Sequence, residues 1–262
     1  MPEPAALLNA YLILNLEHQE SLMEIKKFAN TDQMAQAAAE LVLTSALAAV
    51  IERGVFSLVL AGGGTPLPLY RRLAAPPFLA QMPWELTHLF QGDERCLPPE
   101  HPDSNFGRAA ATLLAPGQVP ADNIHRMTGE DPDPKRAAAA YQRQIEDFCR
   151  DFAVNSFDLV LLGMGSDGHI ASLFPGSALL AEQDRLVAAE TEPAGNPPVP
   201  RLTLTLPAIN SARRVLLLTS GPEKEKIMNE IIADRQAAAA RYPAARVMPS
   251  QEFYWLRTIS DE

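Results

Sequence analysis

Four short apolar runs punctuate the chain, and each gives way to glycine or polar residues. They read FSLVLAGGGTP from Phe56, THLFQGDER from Thr87, FDLVLLGMGSDGH from Phe157 and RRVLLLTSGPEK from Arg213. Apolarity along them is continuous rather than alternating, which predicts strands covered on both faces, as in a parallel sheet. Helical stretches fall between them. Thr31 is placed to cap a helix running to about Arg53, with Gly54 at its end, and Ser104 to cap NFGRAAATLLA. Pro134 opens KRAAAAYQRQIEDFCRDF, and Pro222 takes a favoured first-turn position for EKEKIMNEIIADRQAAAA. This alternation predicts an α/β fold: a doubly wound, mostly parallel open sheet, Rossmann-like, with helices on both faces and a small antiparallel element. RLTLTLP, from Arg201, alternates by twos and reads as a half-buried strand. In such folds ligands bind outside the carboxyl ends of the strands, where all four turns sit.

The 262 residues suffice for one large α/β domain or two small ones. DPDP, from Asp131, and EPAGNPPVP, from Glu192, read as loops rather than domain boundaries. The expected division is an N-terminal extension over 1–27, with no assigned role, and a single domain over 28–262. Lys and Arg number 22 against 32 Asp and Glu, a net charge of −10. Such a chain repels nucleic acid and anionic membranes but leaves room for a small anionic ligand held by a few cations. Cys96 and Cys149 have no metal-binding or redox spacing. The apolar patch from Ala5 to Leu16 has no basic lead-in, and no run is expected to reach bilayer-spanning length. The expectation is a soluble, cytoplasmic protein, monomeric or weakly homo-oligomeric.

Each turn carries a candidate chemistry. Gly62, Gly63 and Gly64, followed by Thr65, let the backbone approach a ligand and present N–H groups, a cradle for phosphate or an oxyanion. The same glycines suit a tight turn with no ligand. QGDERCLPPEHPDSNFGR gathers Asp93, Glu94, Arg95 and Asn105 in what reads as a post-strand loop. The Arg95 fork suits phosphate, although an internal pair with Asp93 or Glu94 is the commoner use of such an arginine. Lys224 stands in the first turn of a helix, where a cation is unfavourable unless an anion is bound. GMGSDGH is the sharpest motif: Asp167 caps a following helix or holds an imidazole, Gly168 opens the approach, and His169 faces the cleft as a catalytic candidate. Ser172 reads as a packing or capping residue, since no GxSxG elbow surrounds it. No His, Cys and carboxylate cluster has metal-ligand spacing.

AGGGTP, GDER with DSN, GMGSDGHIASLFPG, PRLTLTLPAIN and SGPEK, in this order, closely resemble the 6-phosphogluconolactonase family over roughly Phe28 to Trp255. The resemblance implies hydrolysis of 6-phospho-D-glucono-1,5-lactone to 6-phosphogluconate, a step of the oxidative pentose phosphate pathway, without cofactor or metal. It implies His169 as general base supported by Asp167, and Arg95 and Lys224 as the phosphate-binding pair. Gly62, Gly63, Gly64, Thr65, Asp93, Asn105 and Arg201 complete the substrate-binding set. The sequence departs from the family pattern at Gly64, where serine is usual, and in YWLRT, which lacks the aspartate common after Trp-Leu. Two other readings compete. Glucosamine-6-phosphate deaminase shares the fold and the Asp-Gly-His core and would use Asp93 as a proton shuttle, but it typically carries DEY and AFNEPG where this chain has DER and ASLFPG. A non-catalytic sugar-phosphate sensor domain would carry an N-terminal helix-turn-helix, for which an acidic chain with so short a leader is ill suited.

Overall fold

The computed structural model describes residues 22–192 and 195–258. Its first half runs β1 (Leu22–Phe28), α1 (Thr31–Arg53), β2 (Phe56–Leu60), α2 (Leu67–Leu73), α3 (Phe78–Gln81), β3 (Thr87–Gln91), β4 (Asp93–Arg95), α4 (Asn105–Thr112) and α5 (Pro134–Asp151). The second runs β5 (Leu159–Gly163), β6 (Val187–Glu190), β7 (Arg201–Leu204), α6 (Leu206–Ser211), β8 (Arg214–Ser220), α7 (Pro222–Ala233), α8 (Arg235–Ala238) and β9 (Glu252–Thr258).

Six strands form the main sheet in the order β1-β9-β8-β5-β2-β3, with every neighbouring pair parallel. The apolar runs are β8, β5, β2 and β3, side by side, with β3 at one edge. Their continuous apolarity has the expected cause. Leu159 and Leu161 enter one core while Val160 and Leu162 enter the other, so neither face of the strand meets water. One core takes Met34, Ala38, Val42, Ala46 and Ala49 of α1. The other takes Tyr141, Ile145 and Phe148 of α5 and Ile227, Met228 and Ile231 of α7. Each large side chain so buried contributes about 1.5–3 kcal/mol. A second sheet, β4-β7-β6, is antiparallel.

Several details differ from the sequence reading. Asn30, not Thr31, caps α1: its side chain accepts from the Gln33 amide at 2.9 Å. The DER segment is strand β4 rather than loop, because it pairs with β7. β7 is buried throughout, since it is the middle strand of the small sheet. The expected long last helix is divided, because Asp234 turns extended and caps α8 through the Ala237 amide. β1 covers residues on both sides of the boundary expected at 27/28 and pairs with β9 along its whole length, so those residues belong to the sheet. The rest of the extension lies outside the described residues. By length and composition α1 is apolar enough to cross a membrane, contrary to expectation. Its alanine-rich face is instead buried against the sheet.

Candidate active site

A cleft of about 200 Å³ opens at the carboxyl ends of β2 and β5. These strands are neighbours, but their connections lead to opposite sides of the sheet, β2 to β3 and β5 to β8. The chain therefore parts above them and leaves a crevice at the switch point.

The turn after β2 supplies one wall, Gly62 to Thr65. A Cβ on Gly62 would lie 2.2 Å from Asn105 Nδ2, so only glycine lets the turn close on that residue. Among the described residues no backbone acceptor takes the N–H of Gly63 or Gly64. A side chain at Gly64 would meet nothing within 4 Å, so its absence leaves open space.

The facing wall comes from β4, α4 and β7. Arg95 makes no ion pair with Asp93 or Glu94, the use its motif alone favoured. Its Nη1 donates to the neutral Oδ1 of Asn105, and its buried Nε has no partner. Asn105 Nδ2 donates to the Asp93 carbonyl at 2.9 Å and to Asp93 Oδ1 at 3.0 Å, while Asp93 Oδ2 accepts from Ser172 Oγ at 2.7 Å. Arg201 stands directly opposite Arg95 in the β4–β7 pair, which puts both side chains on one face. Burial pushes the Arg201 guanidinium down from its ordinary value; Asp93 opposes this and Arg95 adds to it. Two cations in direct register repel, and an anion between them relieves that cost.

The turn after β5 presents the imidazole. Gly168, at φ +82°, closes a turn in which its N–H donates to the Gly165 carbonyl at 3.0 Å, and Gly165 N–H donates to the His169 carbonyl at 2.9 Å. Asp167 Oδ1 accepts from the His169 amide at 3.1 Å and lies 2.6 Å from its Nδ1. A carboxylate there assigns the proton to Nδ1 and leaves the Nε2 lone pair free. Burial raises the Asp167 carboxyl, but the hydrogen bonds and charge of His169 outweigh it and hold the group below the usual carboxylate range. No α-helix follows, contrary to expectation. Positive φ at Gly168 and Ala171 breaks the helical path, and Asp167 spends its acceptor on His169. The Phe174 ring packs 4.6 Å from the imidazole.

Lys224 reaches the cleft from the first turn of α7. That helix begins at Gly221 with no side-chain cap, leaving its first amides open to an anion. Lys224 forms no ion pair among the described residues. All the sequence-predicted residues thus converge on one cleft, Asp167 through its contact with His169. Sequence reasoning missed the buried carboxylate of Glu94, the Ser172–Asp93 link, and Tyr242, whose ring packs against Gly168. Glu94 stood out only as one more acid in DER, and nothing in the sequence points to Tyr242. Among the described residues no group of three or more His, Cys, Asp or Glu is arranged to hold a metal ion.

Residues 29–255 match the family described as glucosamine-6-phosphate isomerases/6-phosphogluconolactonase. The chain belongs to this family. It is 40% identical to the 6-phosphogluconolactonase of Synechocystis sp., over 82% of this chain and 87% of that one. It is 37% identical to the 6-phosphogluconolactonase of Mycobacterium tuberculosis, over 88% and 94%. The crystal structure of Thermotoga maritima 6-phosphogluconolactonase superposes with a TM-score of 0.78 at 33% identity, covering 90% of this chain and 99% of that one. A monomeric glucosamine-6-phosphate deaminase, 20% identical with a TM-score of 0.75, shares the fold.

Proposed function

We propose that the chain hydrolyses 6-phospho-D-glucono-1,5-lactone to 6-phospho-D-gluconate, in the oxidative pentose phosphate pathway, with water activated by His169 and the phosphate held by Arg95 and Lys224. The observation that carries the reading is the 2.6 Å Asp167–His169 contact at the cleft, which leaves one imidazole nitrogen basic beside three cationic side chains. His169 Nε2 takes a proton as the water oxygen bonds to C1. The carbonyl oxygen becomes an oxyanion, for which the free amides of Gly63 and Gly64 are suited donors. Collapse breaks the C1–O5 bond, and the imidazolium returns the proton to O5. Asp167 fixes the ring and balances its transient charge. Arg95, Arg201 and Lys224 face the anionic end of the substrate, while Asp93 and Asn105 hold the Arg95 fork.

The family also contains isomerases, in which Asp93 would shuttle protons on the sugar. Both Asp93 oxygens are already engaged, one by Asn105 and one by Ser172, which favours lactone hydrolysis. The direct test is turnover of freshly prepared phosphogluconolactone, corrected for spontaneous opening, beside ammonia release from glucosamine 6-phosphate. Lys224→Ala is expected to lower kcat/KM on the phosphorylated lactone by about ten- to a hundredfold, the worth of one charge-assisted hydrogen bond, and to spare the unphosphorylated lactone. Equal losses on both lactones refute the phosphate assignment. Binding without turnover refutes the enzymatic reading in favour of a sensor.

A further inference from the structure

Glu94 lies between Asp93 and Arg95 on β4, yet it is 2% exposed and its side chain lines no part of the cleft. Its two oxygens accept from five donors. Oε1 takes the backbone N–H of Arg95 at 2.8 Å and of Asn105 at 2.7 Å. Oε2 takes the Phe106 N–H at 2.7 Å, Gln91 Nε2 at 2.9 Å and Ser104 Oγ at 3.1 Å. The carboxylate therefore sits on the first turn of α4, where the helix dipole favours negative charge. A group with acceptors at both oxygens is needed, because the backbone N–H groups on either side can only donate.

The consequence concerns Arg95. One oxygen of Glu94 grips the amide of the residue that bears the guanidinium and the amide of the residue that accepts from it. Asn105 in turn divides its side chain between Arg95 Nη1 and the two Asp93 oxygens. Its position is tight, since the turn at Gly62 closes directly on it. We propose that Glu94 is a positioning residue that fixes the Arg95 fork for the substrate phosphate, acting through Asn105. The proposal rests on the phosphate role given to Arg95 above. Glu94 touches no reacting atom; it sets the distance between β4 and the start of α4, and that distance sets where the fork points.

Glu94→Gln tests this at nearly constant volume. Whichever oxygen becomes NH2 faces at least one backbone N–H, on the Oε1 side two, so the β4–α4 junction must open. The expected result is a fall of about ten- to a hundredfold in kcat/KM on the phosphorylated lactone, carried mainly by KM, with the unphosphorylated lactone little changed. Inhibition by inorganic phosphate weakens in parallel. In an Arg95→Ala background the same substitution costs nothing further, because the residue it positions is gone. Equal losses on both lactones, or an undiminished loss in the Arg95→Ala background, overturn the proposal. If Arg95→Ala alone leaves phosphate discrimination intact, the phosphate assignment fails and takes the proposal with it. If Arg95→Ala abolishes discrimination while Glu94→Gln does not, only the positioning role fails. Should Glu94→Gln not fold, Asn105→Ala keeps the backbone contacts of Glu94 and cuts the link to Arg95. It must then show the same selective loss, and discrimination unchanged in that variant overturns the relay.

Discussion

Replacing Asp167 by asparagine separates two jobs that its carboxylate does at once. Oδ1 accepts from both the backbone amide and Nδ1 of His169, at 3.1 and 2.6 Å. An asparagine keeps its amide oxygen in that place, because the NH2 would face the His169 N–H. Ring orientation and tautomer therefore persist, and what is lost is the negative charge opposite the imidazolium that the proposed mechanism forms as the attacking water gives up its proton. A charge-assisted hydrogen bond is about twice as strong as a neutral one, a difference of about 1–1.5 kcal/mol. Since the Asp167 side chain is 49% exposed, solvent screening places the effect toward the lower end. Asp167→Asn should then lower kcat about five- to tenfold, whereas His169→Ala, which removes the base, should lower it ~10²–10⁴-fold. The assay follows acid release from fresh phosphogluconolactone against a no-enzyme control, with folding checked by circular dichroism. The carboxyl is held below the usual carboxylate range, so it is ionised through the neutral region and loses its charge only as pH falls through that lowered value. A loss equal to that of His169→Ala would show that ring orientation or tautomer does not survive the change and would refute the reasoning that only the charge is lost. No loss at all would refute the pairing.

Two further outcomes follow from the packing. Gly168→Ala puts a Cβ 2.6 Å from Tyr242 Cδ1 at a φ of +82°, so stability should fall by about 1–3 kcal/mol in denaturant titration and kcat by tenfold or more. His125, half-buried and beside His88, is pushed down to about 4, and burial lowers His88 as well. Both rings stay neutral in the fold, while the unfolded chain takes up protons below about 6.5, so stability is full above that pH and lost as pH falls toward about 4. With allowance for partial solvent screening the loss between pH 7 and 5 should be about 1 kcal/mol, and His125→Gln should remove most of it, leaving the smaller part due to His88; a pH-independent denaturation midpoint in the parent would refute this.

The centre of the sheet was legible because its strands are covered on both faces and so are apolar at every position. β9 was not: EFYWLRT opens on Glu252 and closes on Arg257 and Thr258, and among the described residues β1 pairs with β9 alone. β4 is three residues long, and no periodicity can show in so short a piece. Its partner β7 reads as half-buried, yet Arg201 and Thr203 are buried with Leu202 and Leu204, so alternation there reflects polar contacts inside the protein rather than water. Residues offering chemistry to the cleft stood out by type and by position after strands. The supports did not. Glu94, Ser172 and Tyr242 act through contacts with groups up to 79 residues away in sequence, and only the folded chain brings them together.

The charge balance of the cleft follows from those same supports. On the proposed reading an acidic chain of net charge −10 presents a positive surface to a phosphate ester, and its motif DER puts two acids beside the arginine assigned that role. A carboxylate 4 Å from a bound anion would repel it by about 4 kcal/mol at the effective dielectric of a protein surface. The fold keeps both carboxylates out of direct contact with the guanidinium by engaging them elsewhere. Asp93 is engaged at both oxygens by Asn105 and Ser172, and Glu94 by amides at the start of α4. The acceptor presented to Arg95 is the neutral carbonyl of Asn105. Arg201 is brought into register with Arg95 across β4 and β7, and Lys224, at an uncapped helix start and in no ion pair among the described residues, adds a third cation. Local attraction for an anion thus arises inside an acidic protein because three cations converge on one cleft, while neutral donors hold its acids away from direct pairing with Arg95.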